Sequence, residues 1–303
     1  MDPVTATLMT VISAATPLLL ASTGELVVER SGVLNLGVEG MMLAGAVTGF
    51  AVTATTGSAV PGILAAAVAG ALLAAVFAFL TLNLLANQVA TGLATTIFGI
   101  GLSALVGESF VGQPVDRLPE LDLPVLTGLP VIGPLVFGQD ALVYLSVALT
   151  AGVAWFLARS RRGMILRAVG ENADAAHSLG YHVIRIRWLA VLFGGLMSGL
   201  AGAYLSLAYT PMWVEGMTAG RGWIALALVV FGAWRPWRVF AGAYLFGGVT
   251  ILQLHAQGAG FFLVPAQVLS MLPYLATIVA LVLFSTGRLR APEGLGKPFL
   301  PTT

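Results

Sequence analysis

The chain has 303 residues, 58% of them hydrophobic and only 9% charged, with a formal net charge of +1 and a mean hydropathy of +0.96. A soluble domain carries roughly 25% charged residues, so this composition excludes a soluble enzyme or nucleic-acid-binding protein and indicates a multi-pass membrane protein. With no cysteine and with three dispersed histidines, the chain has no thiolate nucleophile and no metal-ligand spacing. We therefore predict no catalytic residue and no metal site.

Nine apolar stretches each approach the ~20 residues that a helix needs to cross ~30 Å of hydrocarbon. They predict a single all-α transmembrane domain over residues 1–303 with about nine helices, in a range of eight to ten. The first stretch has no basic residue before Arg30, so it lacks the positive start of a cleavable signal and is predicted to be retained. The stretches lie at about 5–23, 36–56, 60–86, 88–110, 139–158, 188–209, 217–233, 238–256 and 266–286.

Basic residues are concentrated on one predicted side of the membrane, as they are in cytoplasmic loops. With the N-terminus outside and the C-terminus inside, only Arg117 and Arg221 of the 14 basic residues lie outside. The inverted orientation would reverse that distribution. The inner basic residues are then Arg30, Arg159, Arg161, Arg162, Arg167, Arg185, Arg187, Arg235, Arg238, Arg288, Arg290 and Lys297.

The segment "ERSGVLNLGVEG", residues 29–40, stands between the first two apolar stretches. Asn35, Gly37 and Gly40 interrupt the helical pattern, and non-helical backbone is tolerated in a membrane only against protein or a water-lined cavity. Glu39 should then lie about one turn inside the next helix, where an unpaired carboxylate costs on the order of 3 kcal/mol. Glu39 is interpreted as a gate residue of a translocation path beside a partner subunit, or as a helix start favoured by the helix dipole.

The fourth stretch, "NQVATGLATTIFGIG", carries a row of polar residues at helical spacing. Such a row predicts either an uncharged translocation path or hydrogen bonds between helices, and both interpretations remain open. The row consists of Asn87, Gln88, Thr91 and Thr95.

Two glycine pairs indicate close helix packing, because small residues let helix backbones approach each other. The pairs are Gly45 with Gly49 and Gly195 with Gly199, and "LAGA" recurs beside each pair.

Two loops stand out. The outer loop 111–138 is rich in proline, which argues against a long helix. It is interpreted as a cap over the bundle or as a docking surface for an extracytoplasmic partner.

The inner segment 159–187 is the most polar part of the chain, and its centre, "ENADAAHSLG", predicts a short amphipathic helix. Asn172 or Asp174 can cap this helix and Gly180 can stop it. Its small apolar face is predicted to contain Ala175, Ala176 and Leu179.

This centre resembles the "EAA" loop by which ABC importer permeases contact their ATPase. Asp174 replaces the glutamate of that pattern, and no Ile-x-Leu-Pro follows. The alternative is a basic loop that only fixes topology. The resemblance implies that ATPase coupling involves Glu171, Asn172, Asp174, Ala175, Ala176, Leu179 and Gly180.

Four segments, in order along nearly the whole chain, resemble permease subunits of the ribose and branched-chain amino acid class of ABC importers, most closely the nucleoside importers. The resemblance implies a type II importer fold in the bacterial inner membrane and an extracytoplasmic substrate-binding lipoprotein. It also implies a second homologous permease, usually a different and longer chain, although a homodimer remains open. The segments are "GELVVERSGVLNLGVEGMMLAGA", "NQVATGLATTIFGIG", "RAVGENADAAHSLG" and "GRGWIALALVVFGAWRP".

The chain encodes no ATPase of its own. A P-loop requires a lysine followed by serine or threonine, and the sole lysine, Lys297, is followed by proline, so ATP should be bound by a partner ATPase. The neutral polar residues suit an uncharged solute, for which we predict nucleosides, with ribose, other simple sugars or branched-chain amino acids as alternatives. An ion-coupled secondary transporter, which also uses broken helices, is the alternative class, and a channel is a third; both leave the capped inner helix unexplained.

Overall fold

The computed structural model describes residues 3–121, 132–258 and 291–300, together with residues 271, 272, 275, 278, 279 and 282. Across these ranges the chain is helical, and extended pairing is limited to three isolated bridges. The α-helices in this part of the chain are α1 (Pro3–Arg30), α2 (Val38–Thr56), α3 (Ala59–Ala78), α4 (Gln88–Gly107), α5 (Ile132–Phe137), α6 (Ala141–Arg159), α7 (Arg161–Glu171), α8 (Ala173–Ser178), α9 (Val183–Tyr204), α10 (Arg221–Phe231) and α11 (Pro236–Gly258).

Seven helical segments among the described residues are long and apolar enough to cross a membrane. They are α1, α2, α6, α11 and three helices with an irregular last turn, namely α3 to Asn83, α4 to Phe110 and α9 to Tyr209. The predicted all-α transmembrane fold is confirmed. The predicted span 217–233 is instead the short helix α10, and most of the predicted span 266–286 lies outside the described residues.

Helix α1 is longer than the apolar stretch that predicted it. The prediction ended at residue 23, whereas the helix continues for 28 residues to Arg30. Glu25 and Glu29 lie in its last two turns, and each side chain is only 1% exposed. Buried carboxylates are accommodated where other segments supply hydrogen-bond donors, so the end of α1 belongs to the interior of the bundle and not to a loop.

Helices α2, α3 and α9 pack backbone to backbone. A methyl group built on Gly45 would lie 2.5 Å from the Cα atom of Gly199, and one on Gly195 would lie 2.3 Å from the Cβ atom of Ala74. A methyl group on Gly49 would approach Ala66 to 3.1 Å. Such close approach provides dispersion contacts in a membrane, where lipid removes the hydrophobic drive for helices to associate. The structure thus places all four predicted glycines at helix contacts.

Two arginines, the half-buried Arg30 and the buried Arg187, join several segments at one end of the bundle. Arg30 donates from Nε and Nη2 to the carbonyl oxygen of Trp234, at 3.1 and 2.9 Å. Arg187, only 1% exposed, donates to the carbonyl oxygens of Ser31 at 3.2 Å and Lys297 at 3.1 Å. We call this end the basic end; it gathers the segments 31–34, 160–182, 232–235 and 291–300.

The first part of the predicted outer loop, residues 111–121, lies against the opposite end. Arg117 Nε donates to the carbonyl oxygen of Ala208 at 3.0 Å, and the backbone N–H of Leu118 donates to Leu207 at 3.1 Å. Leu118 itself is 8% exposed and packs in the core. Residues 111–121 therefore cover the last turns of α9, while residues 122–131 lie outside the described part.

Candidate functional site

The helical backbone is interrupted before α2, as the sequence predicts. Residues 33–37 are not helical, and α2 begins at Val38. Asn35 is completely buried, and its Oδ1 atom accepts a hydrogen bond from the backbone N–H of Gly37 at 2.9 Å. Thr96 of α4 donates to the carbonyl oxygen of Leu36 at 2.9 Å. The non-helical backbone is therefore satisfied by protein groups, which is the condition for such backbone inside a membrane.

The carboxylate of Glu39 is held by the first turn of α10. Its Oε1 atom accepts hydrogen bonds from Thr218 Oγ1 at 2.6 Å and from the backbone N–H of Gly220 at 2.8 Å. Its Oε2 atom accepts from the backbone N–H of Gly222 at 2.6 Å. Since Glu39 also lies in the first turn of α2, one carboxylate faces the positive ends of two helix dipoles. These hydrogen bonds and helix dipoles explain how Glu39 can be buried, with only 6% of the residue exposed.

Glycine is required where α10 meets α2. A methyl group on Gly222 would lie 2.6 Å from both the Cα and the backbone nitrogen of Glu39. Gly220, which precedes α10, has a φ of +83°, a conformation that favours glycine. The segment "GRG" at 220–222 thus lets the start of α10 touch the backbone of α2.

Helix α10 reaches only part of the way through the bundle. Its 11 residues span about 16 Å at a rise of about 1.5 Å per residue. Its far end lies at the basic end, where Trp234 Nε1 donates to Glu29 Oε2 at 2.5 Å. Glu39, which contacts the start of α10, therefore lies about 16 Å from the basic end. The turns and irregular backbone of residues 31–37 separate it from the end of α1.

Glu25 and Glu29 are site residues that the sequence analysis missed. Glu25 Oε1 accepts from the backbone N–H of Asn35 at 3.3 Å, so it contacts the break before α2. Its Oε2 atom is buried without a partner among the described residues. The signal was present, since Glu25 and Glu29 are separated by Leu26, Val27 and Val28 and share one helix face at a spacing of four.

The polar row of α4 faces α2 within this chain. Gln88, Thr91 and Thr95 are 5%, 9% and 6% exposed. Thr95 Oγ1 donates to the carbonyl oxygen of Thr91 at 2.8 Å, and its Cγ2 atom would lie 3.1 Å from a methyl group on Gly37. These contacts account for both threonines by helix packing.

The first turn of α4 supports the same break. Gln88 Oε1 accepts from the backbone N–H of Leu34 at 2.8 Å, while Gln88 Nε2 is buried without a partner in the described part of the chain. Asn87 is exposed and caps α4 by accepting from the backbone N–H of Ala90 at 3.0 Å. Gln88 therefore anchors the non-helical backbone that precedes Asn35 and Glu39.

The predicted inner helix is α8, at the basic end. Asn172 Oδ1 accepts from the backbone N–H of Ala175 at 2.9 Å, which caps the helix, and Gly180 has a φ of +86° after it. Leu179 is 78% exposed and Ala175 is also exposed. Glu171, Asn172, Asp174 and Gly180 are exposed as well.

One part of the prediction for α8 is wrong. Ala176 is only 3% exposed and packs in a cluster with Val169, Val183 and Phe299. It does not share an exposed face with Ala175 and Leu179, because this helix of six residues lies flat on its own chain and turns Ala176 inward.

The C-terminal tail packs against α8. The ring of Phe299 contacts the ring of His177 edge to face, with centroids 5.5 Å apart. The backbone N–H groups of Gly294 and Gly296 donate to the carbonyl oxygens of Gly170 at 2.9 Å and Gly32 at 3.1 Å. No role for this tail was predicted, although "EGLGKPFL" combines glycines for close approach with the aromatic residue Phe299.

Comparison with known proteins identifies this architecture. Residues 7–284 match the family described as branched-chain amino acid transport system / permease component. The chain belongs to this permease family. It is therefore a multi-pass plasma-membrane subunit of an ABC transporter and not an enzyme, and permeases of this family work with an ATPase and a substrate-binding partner. The chain is therefore a subunit of an ABC transporter and not the ion-coupled secondary transporter that the sequence left as an alternative.

Three relatives are of the sugar or nucleoside type, as the resemblance implied. The chain is 43% identical to the "Putative glucose ABC transporter permease protein" of Haloferax volcanii, over 94% of each chain. It is 34% identical to the nucleoside ABC transporter permease protein of Lactococcus lactis, over 74% of this chain and 72% of the relative. It is 32% identical to the guanosine ABC transporter permease protein of Bacillus subtilis, over 71% and 69%. No solved structure matches the chain.

Proposed function

We propose that the chain forms half of the translocation path of an ATP-driven nucleoside importer, with a different homologous permease as the other half. The observation that carries this proposal is the saturated carboxylate of Glu39, which accepts three hydrogen bonds from the start of α10. A carboxylate engaged in this way is not free to coordinate an ion or a cationic solute. The two relatives named for nucleoside and guanosine transport support the same solute class.

The gate of this path is formed by α10 and the break before α2. Helix α10 is tied at its start to Glu39 and at its end to Glu29 through Trp234. Glu39 acts as a positioning residue, because α10 moves relative to α2 only when its three hydrogen bonds break. Asn35 shapes the break, and Gln88 holds it against α4 through the hydrogen bond with Leu34. Asn87, Thr91 and Thr95 lie beside Gln88 in the same polar row of the path.

Coupling to the ATPase occurs at the basic end. The exposed residues of α8 and its flanks, above all Ala175 and Leu179, form the docking surface for the ATPase, and this orients the basic end toward the cytoplasm. The N-terminus of the chain is then outside. The opposite end, which residues 111–121 cover, faces the substrate-binding lipoprotein.

A monosaccharide is the second candidate solute. The relative from Haloferax volcanii, named for glucose, matches this chain over a larger share of both chains than the nucleoside and guanosine relatives do. Nucleosides and sugars are both uncharged and rich in hydroxyl groups, so the buried neutral side chains near the break suit either class.

The test is uptake by the assembled importer in proteoliposomes, with both permeases, the ATPase and the binding protein present. We expect ATP-dependent accumulation of radiolabelled guanosine and uridine, and no accumulation of glucose. Accumulation of glucose alone would select the second candidate. Uptake driven by a proton or sodium gradient in vesicles that contain only this chain would overturn the importer proposal altogether.

A further inference from the structure

An apolar crevice opens at the basic end, outside the site described above. It has a volume of about 670 Å³ and lies between α6, α7 and α9. We call its buried apolar lining the floor; this lining includes Val27 of α1, which is 5% exposed. Helices α6 and α9 both pack on α1, and the space between them is lined by side chains such as Phe156, Leu166, Leu189 and Phe193. Leu189 is 64% exposed, so the crevice is open toward the side of the bundle.

Two arginines stand at the mouth of this crevice. Arg162 lies in the first turn of α7 and Arg185 in the first turn of α9, and both line the crevice. Neither helix has an acidic residue in its first turn. Both arginines are exposed, and neither has a hydrogen bond or ion pair within the described ranges. The N-terminus of a helix carries a partial positive charge. The mouth therefore combines four sources of positive potential, namely the two arginines and the N-termini of α7 and α9.

We propose that the crevice binds an anionic phospholipid, with an acyl chain along the floor and the phosphate between Arg162 and Arg185. Unfilled space in a helix bundle forfeits dispersion contacts, and acyl chains are the apolar filler that a bilayer provides. Phosphate groups bind at helix N-termini, and basic pockets between transmembrane helices bind anionic headgroups. The apolar floor and the basic mouth therefore match the two parts of one molecule.

The bound lipid would connect the two helices that flank α8. The crevice is lined by Arg162 and Ile165 of α7 on one side and by Gly180, Tyr181 and His182, just before α9, on the other. Occupancy would thus brace the inner segment, a role that rests on the coupling function proposed for α8, whereas lipid binding itself does not depend on it.

The test uses the assembled importer with the photo-crosslinking residue benzoylphenylalanine at position 189, delipidated and titrated with dioleoylphosphatidylglycerol or dioleoylphosphatidylcholine. Mass spectrometry of the chain identifies what is attached to residue 189. We expect phosphatidylglycerol adducts that dominate over phosphatidylcholine adducts, and an apparent affinity that falls about fivefold for each of Arg162→Gln and Arg185→Gln. Glycerol phosphate, which lacks acyl chains, should not compete.

Matched variants keep the result interpretable. Gly152 faces open space in the crevice, so Gly152→Leu should fill the crevice without a clash and reduce the lipid adduct, whereas Gly101→Leu, on an open face of α4, should not. Arg159→Gln, outside the crevice, should leave affinity unchanged. Equal adducts with both lipids, insensitive to the arginines, would overturn the proposal. So would an adduct to another subunit or to a segment of this chain, since the crevice would then be a protein interface.

Discussion

The carboxylate of Glu39 and the backbone N–H of Gly222 are joined by a hydrogen bond of 2.6 Å across 183 residues of sequence. Thr218 and Gly220 donate to the same carboxylate, so the contact ties the start of α10 to the start of α2. A charged acceptor that faces two helix N-termini is stabilised by both dipoles. Its burial is therefore compatible with a fixed, folded position inside the membrane.

Replacing this charge should loosen α10. In Glu39→Gln the side-chain amide brings an N–H donor toward groups that are themselves donors, and a hydrogen bond to a charged group contributes about 1.5–3 kcal/mol. We expect uptake to fall by more than about tenfold, or 1.4 kcal/mol, while ATP hydrolysis continues uncoupled. Uptake and ATPase activity are measured together in reconstituted complexes.

Glu108→Gln is the matched control, because Glu108 is exposed in the first turn of a short helix. It should leave both rates unchanged. If Glu39→Gln also stays within about twofold, a difference of only ~0.4 kcal/mol, the gate role is wrong and Glu39 only starts a helix.

Adding one methyl group to Gly222 should separate the same two helices. The new carbon would lie 2.6 Å from backbone atoms of Glu39, which no rotamer change can relieve, so Gly222→Ala should lower the thermal midpoint of the purified chain and reduce uptake. The overpacking cost is about 1–3 kcal/mol. Gly101→Ala, where nothing lies within 4 Å, should be neutral or slightly stabilising. Equal midpoints for the two variants would contradict the close contact.

The apolar pattern predicted most of the membrane-spanning helices but not the length of α10. The run at 217–233 is apolar enough to cross a bilayer, and hydropathy carries no information about which part of it pairs with Glu39. Only the hydrogen bonds from Thr218 and Gly220 show that the helix begins inside the bundle. Long-range contacts of this kind have no local signature in sequence.

The site was predicted in part for similar reasons. Asn35 and Glu39 were found because polar residues and glycines interrupt an apolar pattern. Glu25 and Glu29 were missed because their charges seemed to end the first span, whereas donors from Asn35 and Trp234 make them compatible with a helix. The inward position of Ala176 could not be predicted, since it depends on contact with Phe299 from the far end of the chain.

The orientation proposed for the chain can be tested with single cysteines, since the natural chain has none. Gln113 and Glu215 are exposed at one end of the bundle and Ser178 at the basic end. We expect Gln113→Cys and Glu215→Cys to react with an impermeant maleimide in intact cells, and Ser178→Cys to react only after permeabilisation. Leu118 and Thr218 are less suitable positions because both are buried. Labelling of Ser178→Cys in intact cells would show that the orientation is the reverse of the one proposed.

The docking surface proposed on α8 predicts different effects for substitutions at Leu179 and at Ala176. Leu179→Arg changes an exposed side chain, so it should abolish uptake and substrate-stimulated ATPase activity while the amount of folded protein in the membrane stays constant. Ala176→Arg should instead reduce the folded amount, because Ala176 is buried. Leu121→Arg, an exposed leucine at the opposite end, is the control. Normal activity of Leu179→Arg would favour the interpretation that the segment only fixes topology.

The buried guanidinium of Arg187 should hold the C-terminal tail in place. It donates to the carbonyl oxygens of Ser31 and Lys297. Arg187→Met would keep the bulk of the side chain but remove both hydrogen bonds and leave the buried carbonyl oxygen of Ser31 unpaired, at a cost of about 1–3 kcal/mol. We expect faster amide hydrogen exchange across residues 291–300, measured by mass spectrometry. Because Phe299 of this tail packs beneath α8, ATPase coupling should weaken in the same variant. Arg159→Met, which replaces an exposed arginine, should change neither property, and unchanged exchange in Arg187→Met would show that the tail is held by its glycine and Phe299 contacts alone.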